Sequence, residues 1–170
     1  MRIWLGAFLG ILLVPLVLGG AFANAASISG RSSTVLEWYD DPEGDTALPA
    51  YQYLQVQAKD LFESGYNFKV YGRLADDFRD EVDIDSRLYY AYLENREVFR
   101  NLGFRLGRQF ISTTAGASMM DGLSLDYRIN DDYKARVFAG ADVKYYDGYD
   151  IEDVIDGIEL SGQFLDDDLE

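Results

Sequence analysis

The chain contains no cysteine and no histidine, and it has half as many basic as acidic residues, 15 against 30. Each shortage closes a class of chemistry. Without Cys there is no disulfide, no thiolate metal site, no thioether-linked haem and no lipoprotein anchor. Without His the usual general base, the commonest metal ligand and the Ser-His-Asp arrangement are gone. Carboxylate-only catalysis stays chemically open, but so many acidic residues make paired carboxylates a coincidence. The chain therefore reads as a non-enzyme with no cofactor and no resident metal. A net charge of −15 lacks the basic footprint that nucleic acid requires. Strongly acidic chains are often disordered, yet 48% hydrophobic residues and thirteen tyrosines argue for a folded chain.

Arg2 is followed by an uncharged stretch, 3–23, and Ala23-Asn24-Ala25 puts small residues at the two positions a signal peptidase reads. The stretch is long enough to span a bilayer, but Pro15 and the Gly19-Gly20 pair interrupt a continuous helix. The expectation is a secretory signal peptide over 1–25 and one mature domain over 26–170. No later segment is apolar enough for a membrane helix, which leaves a periplasmic, secreted or outer-membrane product.

Beyond the leader, segments of about ten residues alternate apolar and polar. The alternation predicts strands over 28–39, 51–61, 66–75, 82–93, 102–110, 122–129, 133–146 and 157–165. In the third, Tyr66, Phe68, Val70, Gly72 and Leu74 share one face, and Asn67, Lys69, Tyr71 and Arg73 the other. The fourth sets Val82, Ile84, Leu88, Tyr90 and Tyr92 against Asp83, Asp85 and Arg87. Tight turns are expected at Ser64-Gly65 and Asn130-Asp131-Asp132, a further turn over 94–101, and long loops over 40–50, 111–121 and 147–156.

A soluble β-sandwich alternates too, with its apolar face inward. Three features favour a membrane barrel. The first, fifth and seventh connections are long, the second, sixth and eighth short, as external loops and periplasmic turns are, with the third and fourth intermediate. Aromatic residues gather at strand ends, where headgroups suit them. Trp38, Tyr39, Tyr51, Tyr53, Phe78, Phe110, Tyr145 and Tyr146 fall at one end; Phe62, Tyr66, Phe68, Tyr90, Tyr92, Phe104, Tyr127, Tyr133 and Phe164 fall at the other. Tyr71 and Phe138 are mid-strand exceptions on the polar face. The mid-strand apolar face is aliphatic: Leu54, Val56, Ala58, Val70, Val137, Ala139 and Ala141. The expected fold is an all-β, antiparallel, up-and-down transmembrane β-barrel with about eight strands visible, either complete or an incomplete larger barrel. Its place is the outer membrane of a Gram-negative bacterium. Its partners there are membrane lipid, lipopolysaccharide and the barrel-assembly machinery.

Leu106-Gly107-Arg108-Gln109, a loop, and then Asp121-Gly122-Leu123 opening a strand resembles outer-membrane porins of the alginate-export type. It is also similar to porin-like proteins of metal-reducing bacteria, some of which sheath multihaem cytochromes. The resemblance implies a channel for anionic or polar solutes, a barrel of more than eight strands, and a periplasmic cytochrome as a partner in the sheath variant. The acidic tail 166–168 and the chain end at Glu170 depart from an aromatic-terminated closing strand, with Phe164 the nearest candidate. The N-terminal part of a larger porin is the expectation that reconciles the two.

Lys and Arg fall mostly within the expected strands, and acidic residues mostly between them. Lys69, Arg73, Arg87, Arg105, Gln109, Arg128, Lys134 and Arg136 share the lumen parity and are the expected pore-lining residues. Such a wall attracts anions if the interior is wide, and fills with ion pairs if it is a narrow eight-stranded one. Arg108 has lipid parity, reaching headgroups by snorkelling or turning inward through a bulge. The acidic loops 40–45 and 147–156 offer oxygen ligands without the ordered spacing of a calcium loop. Three functions stay open: passive passage of small hydrophilic, including anionic, solutes; a structural barrel or a sheath for an electron carrier; and a soluble secreted β-domain binding glycans through tyrosine.

Overall fold

Period-two patterning gives strands and very little else. The computed structural model describes residues 27–42, 44–144 and 149–162, the last group's first four by backbone alone. The expected leader and C-terminal tail, with Tyr145, Tyr146 and Phe164, lie outside these residues. Ten strands run in order: β1 (Ser27–Leu36), β2 (Tyr39–Asp40), β3 (Thr46–Ala47), β4 (Pro49–Leu61), β5 (Tyr66–Asp77), β6 (Arg87–Phe99), β7 (Leu102–Thr113), β8 (Gly116–Arg128), β9 (Tyr133–Val143) and β10 (Tyr149–Gly162). There is no helix among the described residues. β2 and β3 form a small ribbon inside the first connection. The other eight form one antiparallel meander, each strand paired with its sequence neighbours, in the order β1-β4-β5-β6-β7-β8-β9-β10. Among the described residues β1 and β10 are not paired with each other, so the sheet is open rather than closed into a barrel.

Several boundaries differ from expectation. The expected loop 111–121 is a tight hairpin, because β7 continues to Thr113 and β8 starts at Gly116. Small and hydroxyl residues there pair as strand as readily as they make loop. The expected strand over 82–86 is loop, and β6 instead runs through the expected turn to Phe99. Most of the expected loop 147–156 belongs to β10. Of the connections expected to be long, the first, 37–48, is long and the fifth is the tight turn at 114–115; the third, 78–86, is long, and all three fall at one end. The opposite end carries the short turns 62–65, 100–101 and 129–132.

The sheet is a single layer with two unlike faces. One carries Leu106, Leu123, Leu125, Val137, Ile158 and Leu160, all exposed. Leu106 and Val137 lie in the interior of the sheet, yet are 52% and 46% accessible. Nothing in the described residues packs over them. The other face holds most of the mid-strand buried groups: Glu94, Gln109, Met120, Ser124 and Phe138. Burial on one face of a single layer means that side chains of neighbouring rows converge over one another.

Glycine makes the convergence possible. Gly107, Gly122 and Gly140 stand side by side on β7, β8 and β9. A Cβ on Gly122 would lie 2.2 Å from the Ala139 carbonyl oxygen and 2.6 Å from Gly140 Cα. The trough they leave is filled by side chains from the adjoining rows. Gln109 donates to the carbonyls of Gly122 (3.1 Å) and Arg105 (3.2 Å) and accepts from Ser124 Oγ (2.8 Å). Met120, Ile111 and Phe138 cluster beside it with Ile155. That explains Phe138, an aromatic residue on the polar side: its ring covers Gly157.

Candidate functional site

The polar face divides into three parts. The first is a tyrosine ladder over β4, β5 and β6. The β5–β6 pairing shifts register between Tyr71 and Gly72, with Tyr90 opposite Tyr71 and Leu88 opposite Gly72, so Tyr89 is the extra residue of a bulge. The shift keeps Leu88 with the apolar Gly72 row while Tyr90 and Tyr92 move to the polar face. This corrects the expectation that Leu88, Tyr90 and Tyr92 share the apolar face. Tyr51 and Tyr53 likewise stand on the polar face, opposite Ala75 and Arg73, and not in an aromatic girdle. Ring centroids of Tyr53–Tyr71 and Tyr71–Tyr89 are 6.4 and 4.8 Å apart, both stacked. Tyr90 lies 5.7 Å from Tyr71 and 5.6 Å from Tyr92, and its hydroxyl accepts from Gln55 at 2.9 Å. Arg73 sits over the Tyr51 ring at 5.1 Å and Arg105 over Tyr92 at 4.7 Å.

The second part is an ion-pair cluster centred on Glu94. Its buried carboxylate meets Lys69 Nζ at 3.0 Å, Arg105 at 3.4 Å and Arg96 at 3.7 Å. Row pairing brings them together: Asn67, Glu94, Arg105 and Ser124 stand opposite one another across four strands. The third part follows towards the short-turn end. Arg136 Nε meets Asp126 at 2.7 Å and its Nη1 reaches Glu159 at 3.4 Å, again along one row.

All eight residues expected to line a pore fall on the polar face by register. They differ in what they can touch. Lys69, Arg105 and Arg136 are engaged by carboxylates. Arg73 donates to the Asp85 carbonyl at 2.8 Å and stands opposite Arg87. Gln109 is fully buried in the wall and presents no atom to a solute. Arg128 and Lys134 stand opposite each other, both exposed. Sequence reading missed Glu94, having placed it in a turn. A signal existed: counting by twos from Arg87 and back from Glu94 assigns opposite faces to the tyrosines between, which only a bulge resolves.

Arg108 stays on the apolar face. The β7–β8 register is unbroken there, so no bulge turns it inward. It stands opposite Asp121 and grips it with both guanidinium arms, Nε at 2.8 Å and Nη2 at 2.7 Å. At the loop end, Asp77 accepts from the N–H groups of Leu48 (2.8 Å), Glu81 (2.8 Å), Val82 (3.1 Å) and Arg79 (3.3 Å), tying both long connections together. Burial pushes its carboxyl up, but these four donors outweigh burial and hold it below the ordinary value. Asp41, Asp45 and Glu81 gather beside it with carboxylate oxygens within 4.8 Å of one another. An exposed acidic group of this kind specifies no ion by itself.

Exposed aromatic residues stand at both ends of the sheet. Trp38 and Phe78 are exposed at the loop end, and Phe62, Phe99 and Tyr127 at the short-turn end. Strands of 10 to 14 residues separate them in the main sheet. No protein-family model matches the chain, and no match to it is found among curated proteins or solved structures.

Proposed function

We propose that this sheet is the wall of an outer-membrane barrel whose polar face borders water and lets small hydrophilic solutes, including anionic ones, pass. The observation that supports this is the uncovered apolar face of a single layer. In water such a surface needs a second layer of structure, whereas lipid covers it without one. Strand length agrees, since about 9 to 11 tilted residues cross a bilayer, and so do the exposed aromatic residues at both ends of the sheet. Planar-bilayer recording of the chain folded in detergent tests the reading. Stable conductance steps with anion preference are expected, and a folded, membrane-inserted chain that never conducts refutes it.

A second reading rests on the ion pairs. Glu94 and Asp126 neutralise cations of the polar face, as they would in a narrow barrel filled by its own side chains and serving as a structural element. Conductance that is nil in the native chain and develops on Glu94→Ala, with its cluster loosened, favours that reading.

A further inference from the structure

Positive charge gathers at the short-turn end of the polar face. There a recess of about 360 Å³ opens between β6, β7, β8 and β9. Arg96, Arg105, Arg128, Lys134 and Arg136 line it, against the two carboxylates Glu94 and Asp126. Both carboxylates are spent. Glu94 serves Lys69, Arg105 and Arg96, and Asp126 holds Arg136. Even with Glu159, which reaches Arg136 from β10, the five cations exceed the acids by two.

Arg128 and Lys134 make the arrangement specific. They are direct partners across the β8–β9 ladder. Among the described residues neither side chain has a hydrogen-bond or ion-pair partner. Like charges directly opposite on one face destabilise a sheet, and a multivalent anion between them reverses the sign of that contribution. The floor is bare because Gly103 sits on this face between Arg96 and Asp126. A Cβ there would meet the Arg96 carbonyl oxygen at 2.8 Å, so the backbone fit keeps the floor free of a side chain. Guanidinium forks match the paired oxygens of an oxyanion, and Lys134 adds a point charge.

We infer that this recess binds a small soluble multivalent oxyanion of the phosphate type. The assignment rests on the barrel reading only for calling the recess a pore mouth; the binding itself does not require that the chain conducts.

The test is calorimetric titration of the full chain, folded in neutral detergent, with inorganic pyrophosphate at fixed ionic strength. Saturable binding is expected. The double variant Arg128→Ala/Lys134→Ala weakens it about tenfold or more, given the strength of charged hydrogen bonds. Arg31→Ala, on the same face of β1 and remote from the recess, leaves it unchanged. Arg128→Gln, which keeps the side chain's length, shows an intermediate loss with an unaltered unfolding transition. Absence of pyrophosphate binding overturns the inference. So does an equal loss in Arg31→Ala, which would mean diffuse attraction only. Binding of phosphatidylglycerol in the micelle without binding of pyrophosphate assigns the recess to a lipid headgroup and also overturns it. A chain that binds pyrophosphate and never conducts refutes the pore and leaves this site standing.

Discussion

At the scale of single residues, two carboxylates hold the most structure. Glu94 is buried against Lys69 and Arg105, both largely shielded from water, with the exposed Arg96 at its edge, so losing its charge leaves the two shielded cations uncompensated. Glu94→Gln keeps the shape and removes the charge. A loss of about 3 kcal/mol is expected in denaturant unfolding, larger than for removing an exposed surface pair. Asp77 acts through the backbone. Its carboxyl has a folded-state pKa lowered below the ordinary value. A lowered pKa means that the stabilisation is complete above the unfolded value, near about 3.9, and is lost as pH falls through the folded one. Protection of the Leu48, Glu81 and Val82 amides, measured against their intrinsic exchange rates, should therefore fall only in that acid window. In Asp77→Asn those amides should be less protected already at neutral pH, with no further step in acid. An unchanged acid profile in the variant would mean that another group controls the loops.

At the scale of elements, the β7–β8 hairpin shows what the alternating pattern does and does not reveal. Its pairing from Leu102 opposite Tyr127 to Gly107 opposite Gly122 follows the alternation on both strands, whereas the stretch on to Thr113 opposite Gly116 read as a loop. The Arg108–Asp121 pair on its apolar face breaks the alternation but not the register, because each charge is the other's direct neighbour. Arg108→Ala should cost about 3 kcal/mol by leaving Asp121 uncompensated on an apolar surface, while Arg108→Leu/Asp121→Leu should be neutral or stabilising. Comparing unfolding midpoints of the three chains decides it; equal losses in both variants would show that the pair adds net stability. β6 was harder to read. Its faces change places at Tyr89, and periodicity cannot announce an extra residue in advance. Its start was misplaced because Val82 and Ile84 alternate with Asp83 and Asp85 yet belong to a loop organised by Asp77, a long-range effect. The eight long strands, their order and the polar face were legible; the ion pairs were not, since pairing needs register and register shifts at the bulge.

At the scale of the whole molecule, the open edges set the next question. Among the described residues the outer N–H and C=O groups of β1 and β10 are unpaired, which costs little in water and several kcal/mol each in hydrocarbon. A sheet with this apolar face cannot sit in lipid with its edges bare. The meander has eight strands among the described residues, an even number, so β1 and β10 run antiparallel to each other and can pair without another chain. The chain has no cysteine, which makes the question directly measurable. Ser32, on the outer face of β1, is replaced by Cys together with Asp156, Ile158 or Leu160 of β10 in turn. A disulfide forms only where Cα atoms come within about 7 Å. In the detergent-folded chain one of the three pairs is expected to give an intrachain bond that slows unfolding and makes unheated samples migrate differently from boiled ones. An interchain product instead assigns the edges to a second copy. No bond at all in a folded, detergent-soluble chain refutes closure of this sheet on itself, and with it the narrow, self-filled barrel.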